Sequence, residues 1–264
     1  MSDSQSNYFV LPALTLWWRE MVRFFRQRDR VVGALATPVV FWLLLGFGLG
    51  KSFKAPGAPE GHGYLEYFYA GTLVMILLFT AIFSTISVIE DRREGFLQAV
   101  LVAPVGRFAI VLGKILGGTT LAFVQGLVFL ALAPPLGLQL SAASLAWLVI
   151  VMFLVSFALT GLGFVIAWQM SSTQGFHAIM NLFLIPLWLL SGAVFPSEGA
   201  PAWLGWVMKV NPLSYGVAAL RDGLYWTRPH ADATVDLVIT TIFAVGMFVL
   251  SLLAAQRTTR GDLQ

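Results

Sequence analysis

The chain contains no cysteine in 264 residues, which excludes disulfides and thiolate metal sites. Charge is nearly as scarce, with Asp, Glu, Lys and Arg at 11% against 58% hydrophobic residues and a mean hydropathy of +0.81. So little polar surface cannot cover a water-soluble globule of this length, leaving an integral membrane protein as the expected class. From Lys114 to Glu198 there are 83 consecutive residues without a charged side chain, enough for about three helices of ~20 residues. The net charge of +3 does not indicate nucleic acid, because the basic residues flank apolar runs and form no continuous soluble patch. Histidine is limited to positions 62, 177 and 230, too scattered to build the converging acid, base and nucleophile of an enzyme. No GxxxxGK[ST] pattern occurs either. Gly113 and Lys114 are followed by isoleucine and open an apolar helix, where Lys114 is expected to reach back to the membrane surface. The chain is therefore expected to bind no cofactor or metal of its own and to be no enzyme.

Six apolar runs are long enough to span a bilayer, at about 31–50, 67–89, 108–133, 145–168, 176–195 and 237–255. They are continuously apolar, without the alternation of a membrane barrel, so the expected fold is all-α, a single transmembrane domain over residues 1–264. The N-terminal segment is short in apolar length and leads into Arg19, Arg23, Arg26, Arg28 and Arg30, unlike a cleaved signal, and is taken as part of the mature protein. As a helix over 10–30 it would gather Leu14, Trp17, Trp18, Met21, Phe24 and Phe25 on one side and the arginines on the other, as an interfacial helix does. A solvated basic tail is the plainer alternative.

Lysine and arginine set the orientation. With both termini inside, the inner segments hold eleven of them (the five N-terminal arginines, Arg92, Arg93, Arg107, Lys114, Arg257 and Arg260), and the outer segments hold five (Lys51, Lys54, Lys209, Arg221 and Arg228). Residues 133–144 are turn-rich and uncharged, as suits a short outer loop. Residues 196–230 are aromatic, but Pro201, Pro212 and scattered charges divide them into pieces too short to cross. Two short re-entrant outer helices are expected there, the second starting at Asn211 and Pro212, with Tyr215 and Trp226 at the interface. An ordinary outer loop is the alternative.

Residues 90–107, EDRREGFLQAVLVAPVGR, concentrate six charges in eighteen positions. Glu90 to Glu94 leave the second span, Gly95 permits a turn, and Pro104 moves Ala103 out of helical geometry, so a short helix lying along the membrane is expected between them. By itself such a stretch serves either as a positive-inside anchor or as a knob for a soluble partner.

The longer run 90–118, EDRREGFLQAVLVAPVGRFAIVLGKILGG, resembles the signature of the permease subunits of type-2 ABC transporters: an acidic-basic cluster, a glycine, a short helix, a proline and a Gly-Lys pair, in that order. The amphipathic N-terminus, the six spans and the late Asn211-Pro-Leu-Ser-Tyr215 element followed by Arg221 extend the resemblance over nearly the whole chain. It implies a drug or lipo-oligosaccharide exporter-like role, in a bacterial or archaeal inner membrane, for a homodimer served by two separate ABC ATPase subunits that carry the ATP and Mg. It also implies that the segment at about 90–103 is a coupling helix docking on the ATPase through Glu90, Asp91, Arg92, Arg93, Glu94, Gly95, Phe96, Gln98 and Pro104. The outer re-entrant segment would include Pro196, Asn211, Pro212, Tyr215 and Arg221. Relatives often have threonine after the glycine and glutamate at position 98, so Phe96 and Gln98 make this helix less acidic.

Gln125, His177 and Asn181 are candidates for lining a pathway, though polar residues in spans also serve as plain interhelical contacts. The spacings Gly46xxxGly50 and Gly113xxxGly117 are candidates for close helix contacts. Ser84, Thr85 and Ser87 are expected to bond carbonyls of their own helix. A channel or secondary transporter without an ATPase is the alternative function, although no charged residue lies between 115 and 197 to serve it. The expected substrate is apolar or amphipathic: a drug-like compound, a lipid or a lipid-linked glycan.

Overall fold

The computed structural model describes residues 2–50, 63–138, 140–196, 200–225 and 230–257, with side chains from Val10 onward. Lys51, Lys54, His62, Trp226, Arg228 and Arg260 lie outside the described residues, as does the side chain of His230. Ten α-helices follow in order: α1 Ser2–Arg26, α2 Arg28–Leu49, α3 Tyr64–Arg93, α4 Phe96–Val102, α5 Arg107–Leu130, α6 Ala142–Gln169, α7 Thr173–Trp188, α8 Ala202–Val210, α9 Pro212–Tyr225 and α10 His230–Arg257. No strand occurs among the described residues. Six helical stretches are long and apolar enough to cross a membrane: α2, α3, α5 with its extension to Leu136, α6, α7 with the turn to Ala193, and α10 from Asp232.

Helix α3 is the axis of the bundle. It is apolar on every side, which in a helix signals burial all round, and α2, α5, α6, α7 and α9 surround it. Its Thr72 and Thr80 hydroxyls bond the Phe68 and Ile76 carbonyls of their own helix, and Ser84 and Thr85 likewise bond Ala81 and Ile82. Ser87 departs from that pattern, because its hydroxyl faces Lys114 at 3.3 Å. Helices α2, α7 and α10 lie outermost, with large apolar side chains such as Phe47, Leu182 and Ile242 exposed for lipid or a neighbouring chain.

The N-terminal helix divides differently from the two-sided expectation. Ala13, Leu16, Glu20, Met21 and Phe24 are buried against the bundle, chiefly α5. Leu11, Leu14, Trp18 and Phe25 form a separate exposed apolar strip. Trp17, Met21 and Phe24 thus belong to the protein contact and not to the strip, and Trp17 Nε1 donates to Thr120 Oγ1 at 3.0 Å. The physical reason lies in α5. A Cβ on Gly113 would meet the Ala13 carbonyl oxygen at 2.6 Å and Leu16 Cβ at 2.9 Å, and one on Gly117 would meet Glu20 Cβ at 2.7 Å. The Gly113xxxGly117 pair is a groove in which α1 lies. At the other candidate spacing only Gly46 makes a close approach, against Leu65, while Gly50 has open space around it.

Replacing Gly113 with leucine is expected to lift α1 from α5 and destabilise the protein by about 1–3 kcal/mol, the usual range for overpacking. The midpoint of thermal unfolding in detergent reads this. Gly33→Leu is the control, since nothing lies within 4 Å of Gly33 where a Cβ would stand.

Candidate functional site: a charge cluster and a latch at opposite ends

At one end of the bundle the arginines of α1 meet the acidic end of α3. Asp91, fully buried, receives both ends of the Arg19 guanidinium at 2.7 and 2.8 Å and Arg23 Nη1 at 2.5 Å. Glu90 accepts from Arg23 Nη2 at 2.7 Å and pairs with Arg30. Burial works against the charge of Arg23, but the Asp91 and Glu90 carboxylates outweigh it and raise its pKa above the ordinary arginine value. Lys114 lies beneath, 5% exposed, with its Nζ bonded to Asp91 and 2.5 Å from Glu20 Oε1. Contrary to the expectation of a lysine reaching to the surface, its ammonium is held inside by two carboxylates. With Glu94 at 3.6 Å from Arg23, four cations and four carboxylates balance.

This cluster redistributes the residues of the charged stretch. Glu90, Asp91, Arg92 and Arg93 form the last turn of α3, and the short helix starts only at Phe96. Gly95, at φ +78°, takes the left-handed conformation that reverses the chain between them, a conformation glycine adopts without the strain of a Cβ. Ala103 is extended ahead of Pro104 and ends α4. Leu97 anchors α4 in the core, and Phe96 lies under the Arg19 guanidinium at 3.7 Å. Gln98 is half-buried, with its Oε1 enclosed by the protein. Arg92 donates to the carbonyls of Trp168 and of Met170 (3.3 Å), at the end of α6 where a cation suits the helix dipole. The outward side of this region is Arg93, Glu94, Ala99, Pro104 and Val102, the last 82% exposed.

At the opposite end α7 breaks. Pro186 removes one helical N–H, and Leu189–Ala193 form a π-turn in which Leu190 and Gly192 leave helical geometry, Gly192 at φ +76°. The carbonyls freed by this break are taken by the segment that follows and by α3. Asn211 Nδ2 donates to Leu187 O at 2.6 Å while its Oδ1 accepts from the Leu213 N–H at 3.0 Å, starting α9. Arg221 Nη2 donates to Gly192 O at 3.0 Å with its guanidinium 4.3 Å from the Tyr67 ring, and Tyr67 and Tyr64 of α3 bond Gly192 O and Val194 O. Pro212 fills the first position of α9, where no N–H is needed. Pro196 stands half-buried beyond the π-turn. The Tyr215 hydroxyl donates to Lys209 O at 2.7 Å, tying α9 to α8.

The three candidate pathway residues are not brought together. Gln125 is buried between α3 and α5, where its side-chain amide meets the Thr80 hydroxyl at 2.7 Å, an interhelical contact. His177 and Asn181 share an exposed side of α7 with Leu182 and Phe183. Sequence reasoning missed Glu20, Tyr64 and Tyr67. For Glu20 the available signal was a carboxylate set among the arginines of an otherwise apolar helix.

Lys114→Met is expected to leave the buried Glu20 and Asp91 with excess negative charge and cost about 3–5 kcal/mol, the usual result of removing one partner from a buried pair. Adding Glu20→Gln restores neutrality, so the double variant should melt above Lys114→Met alone. At the other end, Asn211→Asp keeps the oxygen that starts α9 but loses the donor to Leu187 O. A loss of about 1–3 kcal/mol in thermal unfolding is expected, larger than for a cap that keeps both bonds.

Residues 13–225 match the family described as ABC-2 type transporter. The chain is 27% identical over 256 residues to nodulation protein J of Sinorhizobium fredii, covering 94% of this chain and 96% of that protein. It is 27% identical to nodulation protein J of Rhizobium leguminosarum bv. viciae over 92% of this chain and 95% of the other. A daunorubicin resistance ABC transporter permease of Streptomyces coeruleorubidus is 26% identical over 240 residues, 88% of this chain and 81% of that one. The family match begins on the face of α1 that packs on Gly113 and ends with α9, before α10, so it takes in every residue of the charge cluster and the latch, and it places this multi-pass membrane chain in the ABC-2 type transporter family.

Proposed function

We propose that this chain is the membrane-spanning subunit of an ATP-driven exporter, acting as a homodimer with two separate ATPase subunits that bind ATP and Mg. The observation that carries this reading is α4: a seven-residue helix set off from α3 by left-handed Gly95, anchored by Leu97, and presenting Val102, Pro104, Arg93 and Glu94 outward. An ATPase that docks there pushes on a helix joined to the bundle axis and, through Arg19 over Phe96, to α1. Of the nine docking candidates, Glu90, Asp91 and Arg92 act by holding α4 in position, and Arg93, Glu94 and Pro104 by touching the partner.

The charged end is the cytoplasmic one in this reading, with both termini inside a bacterial or archaeal inner membrane. Helix α1 is interfacial, its exposed Leu11, Leu14, Trp18 and Phe25 in the headgroup region. Helices α8 and α9 are the re-entrant outer pair, with Trp203 and Trp206 exposed toward the interface. His177 and Asn181 on an open side of α7 support a second copy across the pathway, because polar groups in a span are costly against lipid. The apolar spans suit an amphipathic passenger, a lipid or lipid-linked glycan among them, and a relative named for daunorubicin resistance supports a drug-like one.

Co-expression with its ABC ATPase, purification in nanodiscs and measurement of ATP hydrolysis test this. Wild type should hold the ATPase and alter its turnover. Val102→Asp should weaken the association ~10-fold or more, as loss of a central interface residue does, while the exposed site leaves insertion intact. A permease that binds no ATPase, or a Val102→Asp variant that couples normally, would sink the docking role.

A further inference from the structure

We propose that Arg107 is a positioning residue for coupling: a strut that fastens the exit of α4 to the C-terminal end of α10, so that a docked ATPase moving α4 also moves α10. The proposal rests on the docking reading above. After α4 the chain runs through only four residues, 103–106, and Arg107 then opens α5. Pro104 fixes one φ angle of that link, and the Val105 N–H donates to Ala103 O at 2.7 Å, so the link has little slack. Arg107 reaches from there to another helix. Its Nη1 donates to Ala255 O at 2.5 Å and to Gln256 O at 2.7 Å, two carbonyls in the last turn of α10. A cation on the first residue of a helix stands at the unfavourable end of that helix's dipole, whereas the C-terminal end of α10 is negative and attracts it. The position of this charge is explained by α10 and not by the helix that carries it.

Two observations extend this contact beyond a local tie. The next residue, Phe108, meets Phe248 of α10 edge-on with ring centres 5.5 Å apart, and Phe248 continues to Phe157 of α6 at 5.6 Å. The start of α5 is thus held to α10 by hydrogen bonds and by an aromatic contact side by side. Helix α10 in turn packs on α9, where a Cβ on Gly216 would come within 3.9 Å of Thr240 Oγ1. From Gln256 to Thr240 is about 24 Å along the helix at 1.5 Å per residue, with no proline between them. One continuous helix therefore joins the exit of α4 to the element that holds the latch. This route is separate from the other connection of α4, since Phe96 and Arg19 lead to α1 and α3.

Co-purification with the ABC ATPase in nanodiscs tests it, with association and the permease-dependent change in ATP turnover read separately. Arg107→Gln should hold the ATPase as wild type does, because Arg107 is exposed and α4 keeps its anchor in Leu97. The permease-dependent change should fall about fivefold, within the range by which single residues modulate coupling between sites. Arg107→Lys, which returns a cation to the α10 carbonyls, should recover most of it. Arg26→Gln, exposed on α1 and outside this contact, should leave it unchanged. The chain has no cysteine, so Arg107→Cys with Gln256→Cys introduces one addressable pair; joining the two with a short bismaleimide should restore the coupling that the unjoined pair lacks. An Arg107→Gln variant that couples fully, one whose coupling falls only in step with weakened association, or a joined pair that stays uncoupled overturns the strut and leaves the docking reading standing. A wild type that holds no ATPase overturns both.

Discussion

The Lys114 ammonium between Asp91 and Glu20 is the constraint on which the charged end depends. Each of the three comes from a different helix, α5, α3 and α1, and each is almost fully buried. None is tolerable there alone, because a buried ion without a counter-ion costs several kcal/mol. Together they fix the three helices in one register: α1 cannot slide along the Gly113–Gly117 groove without withdrawing Glu20 from Lys114. The apolar contact of α1 with α5 supplies attraction without a unique position, and the ion pairs supply the position. Arg19 then extends the cluster to α4 through the Phe96 ring.

The latch at the opposite end solves a different problem with the same economy of groups. Breaking α7 at Pro186 and Gly192 exposes carbonyls in a region with little water, where each unpaired group is costly. Asn211, Arg221, Tyr64 and Tyr67 satisfy them from α9 and α3. The break is therefore part of how α9 is held, and a helix that simply continued would leave the Asn211 and Arg221 donors without those acceptors. A cavity of about 670 Å³ adjoins this region, with Lys209, Arg221, Asp232 and Asp236 on its lining. Polar chemistry at this end is thus concentrated beside the interrupted helix α7.

Much of the fold was legible because its signals are local. Continuous apolar runs set the spans, Gly95 and Pro104 bracket the short helix, and Asn211-Pro212 mark the start of α9. The partners of the charges were not legible, because pairing is a long-range property: Arg19 and Asp91 are 72 residues apart in sequence and Glu20 and Lys114 are 94. Lys114 was misread for the same reason, since a lysine near the end of a span looks identical whether it reaches to water or to two carboxylates. The seam of α1 was missed because its apolar residues cover more than half the helix, and hydrophobicity cannot separate a side that faces protein from one that faces lipid. Only the small residues opposite, Gly113 and Gly117, encode that distinction. The residues of a pathway are hidden by the same ambiguity, and the polar candidates resolve by burial: Gln125 bonds within the bundle, while His177 and Asn181 face out of it.

In the proposed role, with an ATPase docked on α4, the arrangement of the charged end constrains how force from α4 can travel. Gly95 is the single left-handed residue between α4 and α3, so a push on α4 reaching α3 through the backbone alone would be taken up in part by rotation about that residue. Leu97 in the core and Phe96 beneath Arg19 close two further connections across the same joint. Arg19 is itself held by both oxygens of Asp91, which belongs to α3. The three connections form a closed loop from α4 through α1 back to α3, and a loop resists bending where a single hinge does not. The arginines of α1 thus brace α4 against the axis, and the Asp91–Lys114 pair ties the same joint to α5.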